Sequence, residues 1–577
     1  MGEPIHLLGI HDGHNCGATL TRNGVVVASV SEERLTRRKN EVGYPARAVE
    51  EVLRLGGVSA RELDEVVYAS LFMHGKSYLT DLEPWYRVGL AEQRAARSQP
   101  KEYQKIVFER RKQERVKEVC DHLEIDAGRV AFLDHHLCHV AAAYYTSPYA
   151  HEGKPVLGLT CDGSGDNLAG SVSVCRDGRI ERLASISRHA SIGKVYSRVT
   201  MLMGMTPWEH EYKIMGLAPY ADRERADRAA EPLRGLLRIS DDGLRIEQAG
   251  ELSMNYCYQY LREVFEAKRF DVIAGAVQLF TEEMLTKWIA SCIRETGIAD
   301  IVCGGGVFMN VKANMLIAQL PEVASMYVMP SAGDESLSIG ACLWRYHERR
   351  GAPDGAERPL DSLYLGGGFG RAEERAAIEA ELKGCDVEIL ETPDVDTLTA
   401  DYLADGKTVA RCRGRMEWGA RALGNRSILS SAHDRQVVTR INDAIKQRDF
   451  WMPFAPSIRE ESAGRYIDDP KDLRPYYMTY AFPAKRQGYA DLTAASHPRD
   501  RTIRPQVVTR EANPDYHRLI TRFEERTGRG VVLNTSFNLH GFPIVNSPAD
   551  AIRVMKRSDL EYLALGHFMI RKRVPSG

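Results

Sequence analysis

One pattern constrains the fold more than any other, because it occurs twice. Leu7-Leu8-Gly9-Ile10-His11-Asp12-Gly13 is an apolar run entering a glycine turn. Ala18 to Thr21, the pair Asn23-Gly24 and Val25 to Val30 follow it. Asn-Gly between two such runs is a strong hairpin signal. Val156-Leu157-Gly158-Leu159-Thr160-Cys161-Asp162-Gly163 repeats the opening, and Ser171 to Cys175, Asp177-Gly178 and the run from Ile180 repeat the hairpin. Chance coincidence of two common motifs is the alternative to a duplicated domain with a cleft between its halves. In the duplicated reading both Asp-Gly turns face one phosphate-sized site, since glycine lets backbone N–H groups approach an anion. Apolar runs alternating with helical patterns make the fold class α/β.

The chain has 577 residues, room for about three or four domain-sized units. Arg349 to Pro359 is polar, holds Pro and Gly, and lacks periodicity. It separates an expected first domain, residues 1–350, from a second, residues 358–577. Lys plus Arg number 77 against 79 Asp plus Glu, a formal charge of −2. That argues against a global footprint for nucleic acid. No apolar run reaches the ~18–20 residues of a membrane helix, and the start lacks a secretory leader. Eleven cysteines without a C-x-x-C pair, Cys161 and Cys303 among them, read as reduced, mostly buried thiols of a cytoplasmic protein. Arg94 to Glu118 carries nine Lys/Arg against four Glu and reads as a solvated helix face.

Four constellations carry candidate chemistry. Asp134-His135-His136-Leu137-Cys138-His139 precedes a helical run, so His135 and His139 share one helix face at metal-ligand spacing. A structural histidine pair is the alternative. Asp334 follows a strand-like run and sits near a helix start, where cap and ligand are both open readings. As a third ligand it would complete a two-His-one-carboxylate set suited to Fe(II), with Asp162 a candidate fourth. Cys303-Gly304-Gly305-Gly306, with Asn310 and Asn314 after it, suits close backbone approach to a nucleotide or simply a tight turn. Finally, Arg415, Arg421 and Arg426 lie among small residues, followed by Lys446, Arg448, Arg504 and Leu533-Asn534-Thr535-Ser536-Phe537-Asn538. Arginine fixes oxyanions through paired hydrogen bonds, so a phosphate compound is favoured here over surface salt bridges.

These residues resemble the O-carbamoyltransferases of the nodulation, cephamycin and tobramycin type (NodU/CmcH/TobZ-like). The resemblance rests on His14 to Ala18, Ser31 to Arg37, the His135–His139 box, Lys213-Ile214-Met215-Gly216-Leu217-Ala218-Pro219-Tyr220 and Gly304 to Asn314. It continues through Gly333-Asp334, Arg415 to Ser427, Lys446 to Pro456 and Asn534 to Asn538, in family order over nearly the whole chain. The resemblance implies a duplicated actin-like ATPase core (ASKHA, TsaD-like) of two RNase H-like halves, then a YrdC-like α/β domain. The second domain would make carbamoyl-adenylate from carbamoyl phosphate and ATP. The first would move the carbamoyl group to a hydroxyl of a natural product, as in antibiotic tailoring. By motif, His135, His139, Asp162 and Asp334 would hold a divalent transition metal, Fe2+ by analogy, and His14 would be the general base. Lys213, Gly305, Gly306 and Asn310 would contact nucleotide in the first domain. Arg421, Lys446, Arg448, Arg504, Asn534 and Ser536 would bind carbamoyl phosphate or ATP with its Mg2+. Met452 and Phe542 depart from the resemblance: many members of that family have Arg before Pro-Phe-Ala-Pro and Glu after the glycine of the last motif.

Adenylation fits the chemistry, since a carbamoyl group is a poor electrophile and AMP a good leaving group. Neutral His suits proton removal from an alcohol near neutral pH. Competing readings are a tRNA threonylcarbamoyl transferase and a non-enzymatic actin-like nucleotide-binding protein. The expected partner is a small-molecule hydroxyl, without nucleic acid or membrane, in a possible homodimer. Phe72, Met73, Tyr78, Trp85 and Tyr86 could wall the acceptor pocket or simply pack a core. Few carboxylates there (Asp81, Glu83, Glu92) disfavour a polycationic acceptor.

Overall fold

The computed structural model describes residues 4–97, 101–350 and 359–573. Two compact units emerge: Met1–Glu32 with Asn40–Leu360, and Glu33–Lys39 with Asp361–Gly577. Most of the linker read from sequence, 351–358, lies outside the described residues, as does the side chain of Tyr78.

In the first unit, β1 (His6–His11), β2 (Gly17–Arg22), β3 (Val25–Ser31), β4 (Glu65–Ala69) and β5 (Val130–Leu133) form a sheet in the order β3-β2-β1-β4-β5. A second sheet uses β6 (Val156–Gly165), β7 (Leu168–Arg176) and β8 (Arg179–Ser187). After a separate ribbon of β9 (Leu237–Ile239) and β10 (Ile246–Gln248), β11 (Asp300–Gly304) and β12 (Ser325–Val328) complete it. Its order is β12-β11-β6-β7-β8, the same path as the first sheet. In each, two antiparallel hairpin pairings lead and two parallel pairings follow. Asn23 and Gly24 have φ of 51° and 75°, and Asp177 and Gly178 have 51° and 71°. These are the left-handed pairs that match a two-residue turn to strand twist.

After its fifth strand each half turns into a helix, His135–Thr146 in one and Leu337–Arg350 in the other. The two helices pack closely because Gly340 meets the Cys138 carbonyl where any side chain would collide. Their buried faces seal the strands: Cys138, Leu337 and Ala341 pack with Val67, Ala69 and Leu133. All eleven cysteines are free thiols, nine of them buried.

The basic stretch read as a solvated face forms helices Leu90–Arg97 and Lys101–Leu123. Arg115 corrects that reading. It is 1% exposed and pairs with Asp12, also 1% exposed, at 2.9 Å. The expected pair of Asp-Gly turns is therefore not formed: Asp162-Gly163 lies inside β6, and the Asp12 carboxylate pairs with Arg115. Asp12 already has a buried guanidinium partner, and a buried carboxylate without one is costly.

The second unit is built on one eight-stranded sheet. Its strands are β13 (Val387–Glu391), β14 (Val409–Cys412), β15 (Arg426–Ser431), β16 (Ala455–Arg459), β19 (Gln506–Val508), β20 (Val531–Ser536), β21 (Tyr562–Leu565) and β22 (Phe568–Lys572). The order is β13-β22-β21-β14-β15-β20-β16-β19, and β17 (Phe482–Pro483) and β18 (Thr502–Ile503) form a separate ribbon. Helices Val395–Ala404 and Pro514–Thr527 cover one face, with Leu403, Leu519 and Phe523 on Val409, Leu429 and Val532. Glu33–Lys39, counted from sequence with the first domain, packs with this unit instead. Arg34 donates to the Gly419 carbonyl at 2.7 Å, and Arg37 to the carbonyls of Ile544 and Pro543 at 2.6 and 2.8 Å.

Candidate functional site

Asp134 caps the helix His135–Thr146 by accepting from the Leu137 N–H at 2.8 Å. His135 opens that helix, and His139 lies one turn on. Their Nε2 atoms are 3.1 Å apart, in rings 3% and 0% exposed. His135 Nδ1 faces the Ser70 hydroxyl at 2.9 Å, and His139 Nδ1 faces Ser336 at 3.4 Å. With both Nδ1–H groups donating outward, both Nε2 lone pairs point at one centre. Asp334 Oδ1 is 3.5 Å from each Nε2, and Asp162 Oδ2 is 3.6 Å from that of His135. The four ligand atoms all lie within 4.8 Å of one another. Metal–ligand bonds of about 2.0–2.2 Å leave neighbouring ligand atoms roughly 3–4 Å apart, so the separations suit one cation.

The charge balance points the same way. Burial opposes a charge on His135, but Asp334 and Asp162 outweigh it and push its pKa up to about 9. For Asp334, burial and Asp162 oppose ionisation, yet the histidines hold it below the usual carboxylate range. Two half-buried carboxylates against two buried imidazoles leave room for added positive charge, and the mixed N/O donor set suits a divalent transition metal.

The cap reading of Asp334 does not hold. Gly333 occupies the N-cap of its short turn, no side chain caps it, and the Asp334 carboxylate faces the histidines. The glycine run seats Asp162. The Gly306 N–H donates to Asp162 Oδ1 at 3.0 Å, and a Cβ on Gly306 would stand 2.8 Å from that oxygen. Gly305, at φ +99°, passes the Cys161 carbonyl where no side chain fits. Asn310 caps the helix Val311–Gln319 and exchanges two hydrogen bonds with Gln278, at 2.9 and 3.1 Å. Lys213 is half-buried on the helix Glu211–Leu217.

His14 follows β1 in the same unit. Its carbonyl is 3.0 Å from His11 Nε2, and that Nε2 is 3.7 Å from Asp334 Oδ2. The His14 ring stacks on Trp208 with centroids 4.7 Å apart, and its own Nε2 is buried without a hydrogen-bond partner. Burial lowers its pKa to about 4, with Asp334 opposing and His11 and Lys194 assisting. It is therefore neutral near pH 7, with a lone pair to offer. Lys194 lies 5.5 Å from the Trp208 ring centre, and burial beside Arg198 lowers its ammonium to about 8.

Trp208 and Lys194 escape sequence reasoning. Trp208 holds φ +64° in a loop, pinned by its N–H to Glu211 Oε1 at 2.7 Å. Nothing in Thr206-Pro207-Trp208 announces that geometry.

In the second unit Lys446, Ser536 and Asn538 meet. Lys446 is 3% exposed and donates to Ser536 Oγ at 3.1 Å and Asn538 Oδ1 at 2.7 Å. Burial, with Arg448 and Lys39 nearby, holds its ammonium well below the ordinary lysine range. Arg448 donates to Thr535 Oγ1 at 2.9 Å and lies over Phe454. Asn534 is committed elsewhere: its amide donates to the Ala422 carbonyl and Ser457 Oγ, both at 3.1 Å, and toward Gln506 Oε1 at 3.3 Å. These bonds tie β20 to the loop carrying Arg421 and to β19. Arg421 is half-buried in the β14–β15 loop, and half-buried Arg504 precedes β19. Asn538 closes the Asn534–Asn538 motif but is given no role by the sequence, and Lys39 is not singled out at all. The cation-rich run Arg34, Arg37, Arg38, Lys39 is the signal that could have drawn attention to Lys39. Phe542 contributes its carbonyl, 2.7 Å from Asn538 Nδ2, while its ring is 42% exposed.

Comparison with known families decides the class. The family described as "Carbamoyltransferase N-terminus" matches residues 6–343, and "Carbamoyltransferase C-terminus" matches residues 400–572. The chain belongs to the carbamoyltransferase family. It is a carbamoyltransferase, an enzyme, of the type found in nodulation and cephem O-carbamoylation. This carbamoyltransferase is 30% identical to "Uncharacterized protein sll1178" of Synechocystis, over 98% of the chain and 97% of that protein. It is 31% identical to "Nodulation protein NolNO" of Sinorhizobium fredii, over 98% of the chain and 80% of that protein. It is 29% identical to "3'-hydroxymethylcephem-O-carbamoyltransferase" of Amycolatopsis lactamdurans, over 61% of the chain and 63% of that enzyme. No helix among the described residues is long and apolar enough to cross a membrane.

Proposed function

We propose that this carbamoyltransferase is ATP-dependent and carbamoylates a hydroxyl of a small-molecule natural product, as in antibiotic tailoring. The observation that carries the reading is His14, a neutral imidazole with an unpartnered Nε2 in the same unit as the four-ligand cluster. The name of the cephem relative supports a small hydroxyl acceptor. The matching strand order of the two sheets supports an actin-like (ASKHA, TsaD-like) first unit, and we read the second as a YrdC-like domain. The wholly free cysteines support a cytoplasmic setting.

The second unit makes the activated carbamoyl group. Carbamoyl phosphate loses its phosphate to water, and the carbamate oxygen displaces pyrophosphate from the α-phosphorus of ATP, which carries Mg2+. Lys446, Arg448 and Ser536 hold phosphoryl oxygens, with Arg421 and Arg504 at the flanks and Asn534 keeping β20 in place. A phosphoryl group restores the charge that burial disfavours on Lys446. In the first unit the acceptor oxygen attacks the carbamoyl carbon, its proton passes to His14 Nε2, and AMP leaves. Such a base contributes ~10²–10⁴ in rate. Gly305 and Gly306 let the nucleotide approach Asp162 on β6, with Lys213 at its border and Asn310 capping the helix that follows. His135, His139, Asp162 and Asp334 would hold the transition metal, Fe2+ in this reading, which supplies Lewis-acid polarisation when bound.

The test is the fate of ATP. With carbamoyl phosphate present, AMP and pyrophosphate should form, and neither should form without it. ADP as the sole nucleotide product would overturn the adenylate route.

A further inference from the structure

The transfer reading leaves three buried groups of the first unit unused: Asp12, Arg115 and Ser70. They touch in sequence. Asp12 Oδ1 accepts from Arg115 Nη2 at 2.9 Å, with Arg111 3.8 Å from the other oxygen. Arg115 Nη1 donates to the Ser70 carbonyl at 3.0 Å, and the Ser70 hydroxyl meets His135 Nδ1 at 2.9 Å. The guanidinium lies against Tyr68 and Phe132, 4.4 and 4.9 Å from their ring centres, and the Tyr68 hydroxyl donates to the Arg115 carbonyl at 3.2 Å.

Ser70 is the unusual link. Its φ is +132°, a region that residues with a side chain rarely enter. Such backbone persists only when its surroundings over-determine it. The Ser70 N–H donates to the Leu133 carbonyl at 2.9 Å, and the next two N–H groups, of Leu71 and Phe72, donate to Asp166, each at 2.9 Å. Asp166 also accepts from the His135 N–H at 2.7 Å. Arg115 supplies the remaining hold, on the Ser70 carbonyl. An ordinary solvated helix would have no use for a fully buried arginine at that position.

We propose that Asp12, Arg115 and Ser70 form a brace of positioning residues that fixes the His135 imidazole for metal binding, Arg115 acting only through Ser70. The proposal rests on the reading of the four-residue cluster as a metal site. It gives the first Asp-Gly pair a role different from that of the second. Asp12 supports a ligand from behind, whereas Asp162 is itself a ligand candidate.

The test is cobalt(II) titrated into the full-length chain after metal stripping, read by visible absorption and by the metal-induced rise in melting temperature. Ser70→Gly keeps the backbone conformation accessible and removes the hydroxyl. It should weaken cobalt binding about 10–100-fold, as loss of an outer partner of a ligating histidine does. Arg115→Met should weaken it as well. In the Ser70→Gly background it should add less than about threefold, because partners in one chain of contacts are not additive. If Arg115→Met does not fold, Asp12→Asn takes its place with the same expectation. Independent, multiplying losses would overturn the brace, as would wild-type affinity in Ser70→Gly. If the wild-type chain itself binds no cobalt, the metal reading falls, and the brace with it.

Discussion

The cluster around His135 and the cradle around Lys446 are opposites in charge. In the first, two half-buried carboxylates face two buried imidazoles, and His135 is pushed toward its protonated form. In the second, a buried ammonium stands beside Arg448 among neutral hydroxyl and amide groups, and burial pushes it toward its neutral form. Each side-chain set lacks the charge its ligand would bring, a divalent cation in one and a phosphoryl anion in the other. The contrast teaches that two sites on one chain of nearly balanced charge can be told apart by the sign of the charge they are missing. Net charge says nothing about either.

The largest effect that could break this comparison is at the first site. His135→Ala combined with His139→Ala removes both nitrogen donors, and elemental analysis should then show essentially complete loss of one bound transition metal per chain. Full retention would reject these ligands and leave the acidic cluster unexplained. A smaller, graded effect belongs to the second site. The folded-state pKa of Lys446 lies below its unfolded value, so between the two the unfolded chain binds more protons. Stability of the ligand-free chain therefore rises with pH across that window and is reduced below it. Binding an anion raises the pKa again, so binding should take up protons, and affinity should fall as pH climbs through the window. Calorimetry with carbamoyl phosphate at about pH 8.5, where its phosphoryl group is fully ionised, should show buffer-dependent heats with net proton uptake. Lys446→Met should abolish that uptake. Uptake unchanged in the variant would mean that another group senses the anion.

Much of the architecture is legible in the residues, and the reasons differ by region. Asn23-Gly24 and Asp177-Gly178 fix two hairpins because their left-handed turns demand those residue types. The spacing of His135 and His139 survives because both fall on one helix. Asp12 is where the pattern misleads. Asp12 and Asp162 occupy the same place in two copies of one motif, yet their roles are set by partners distant in sequence. Asp12 meets Arg115 on a long basic helix, whereas Asp162 meets His135 and the Gly306 N–H. Pairings of that range leave no local periodicity to read. The same holds for Trp208 against His14, and for the Glu33–Lys39 segment that packs with the second unit. Asn310 shows a further limit. A helix-capping asparagine and a nucleotide-binding one look alike in sequence, and only its bonds to the Ala313 N–H and Gln278 tell which role its side chain fills.

The division of labour between the two units is the central claim, and a pair of variants assayed side by side tests it most directly. AMP-linked adenylate formation and acceptor carbamoylation should be measured for His14→Asn and Arg421→Ala, each shown to be folded. His14→Asn should lose acceptor carbamoylation by ~10²–10⁴ while forming carbamoyl-adenylate at the wild-type rate. Arg421→Ala should fail to form the adenylate yet still transfer the carbamoyl group from adenylate supplied to it. Loss of both activities in folded His14→Asn would contradict the account, and so would near-normal transfer by that variant.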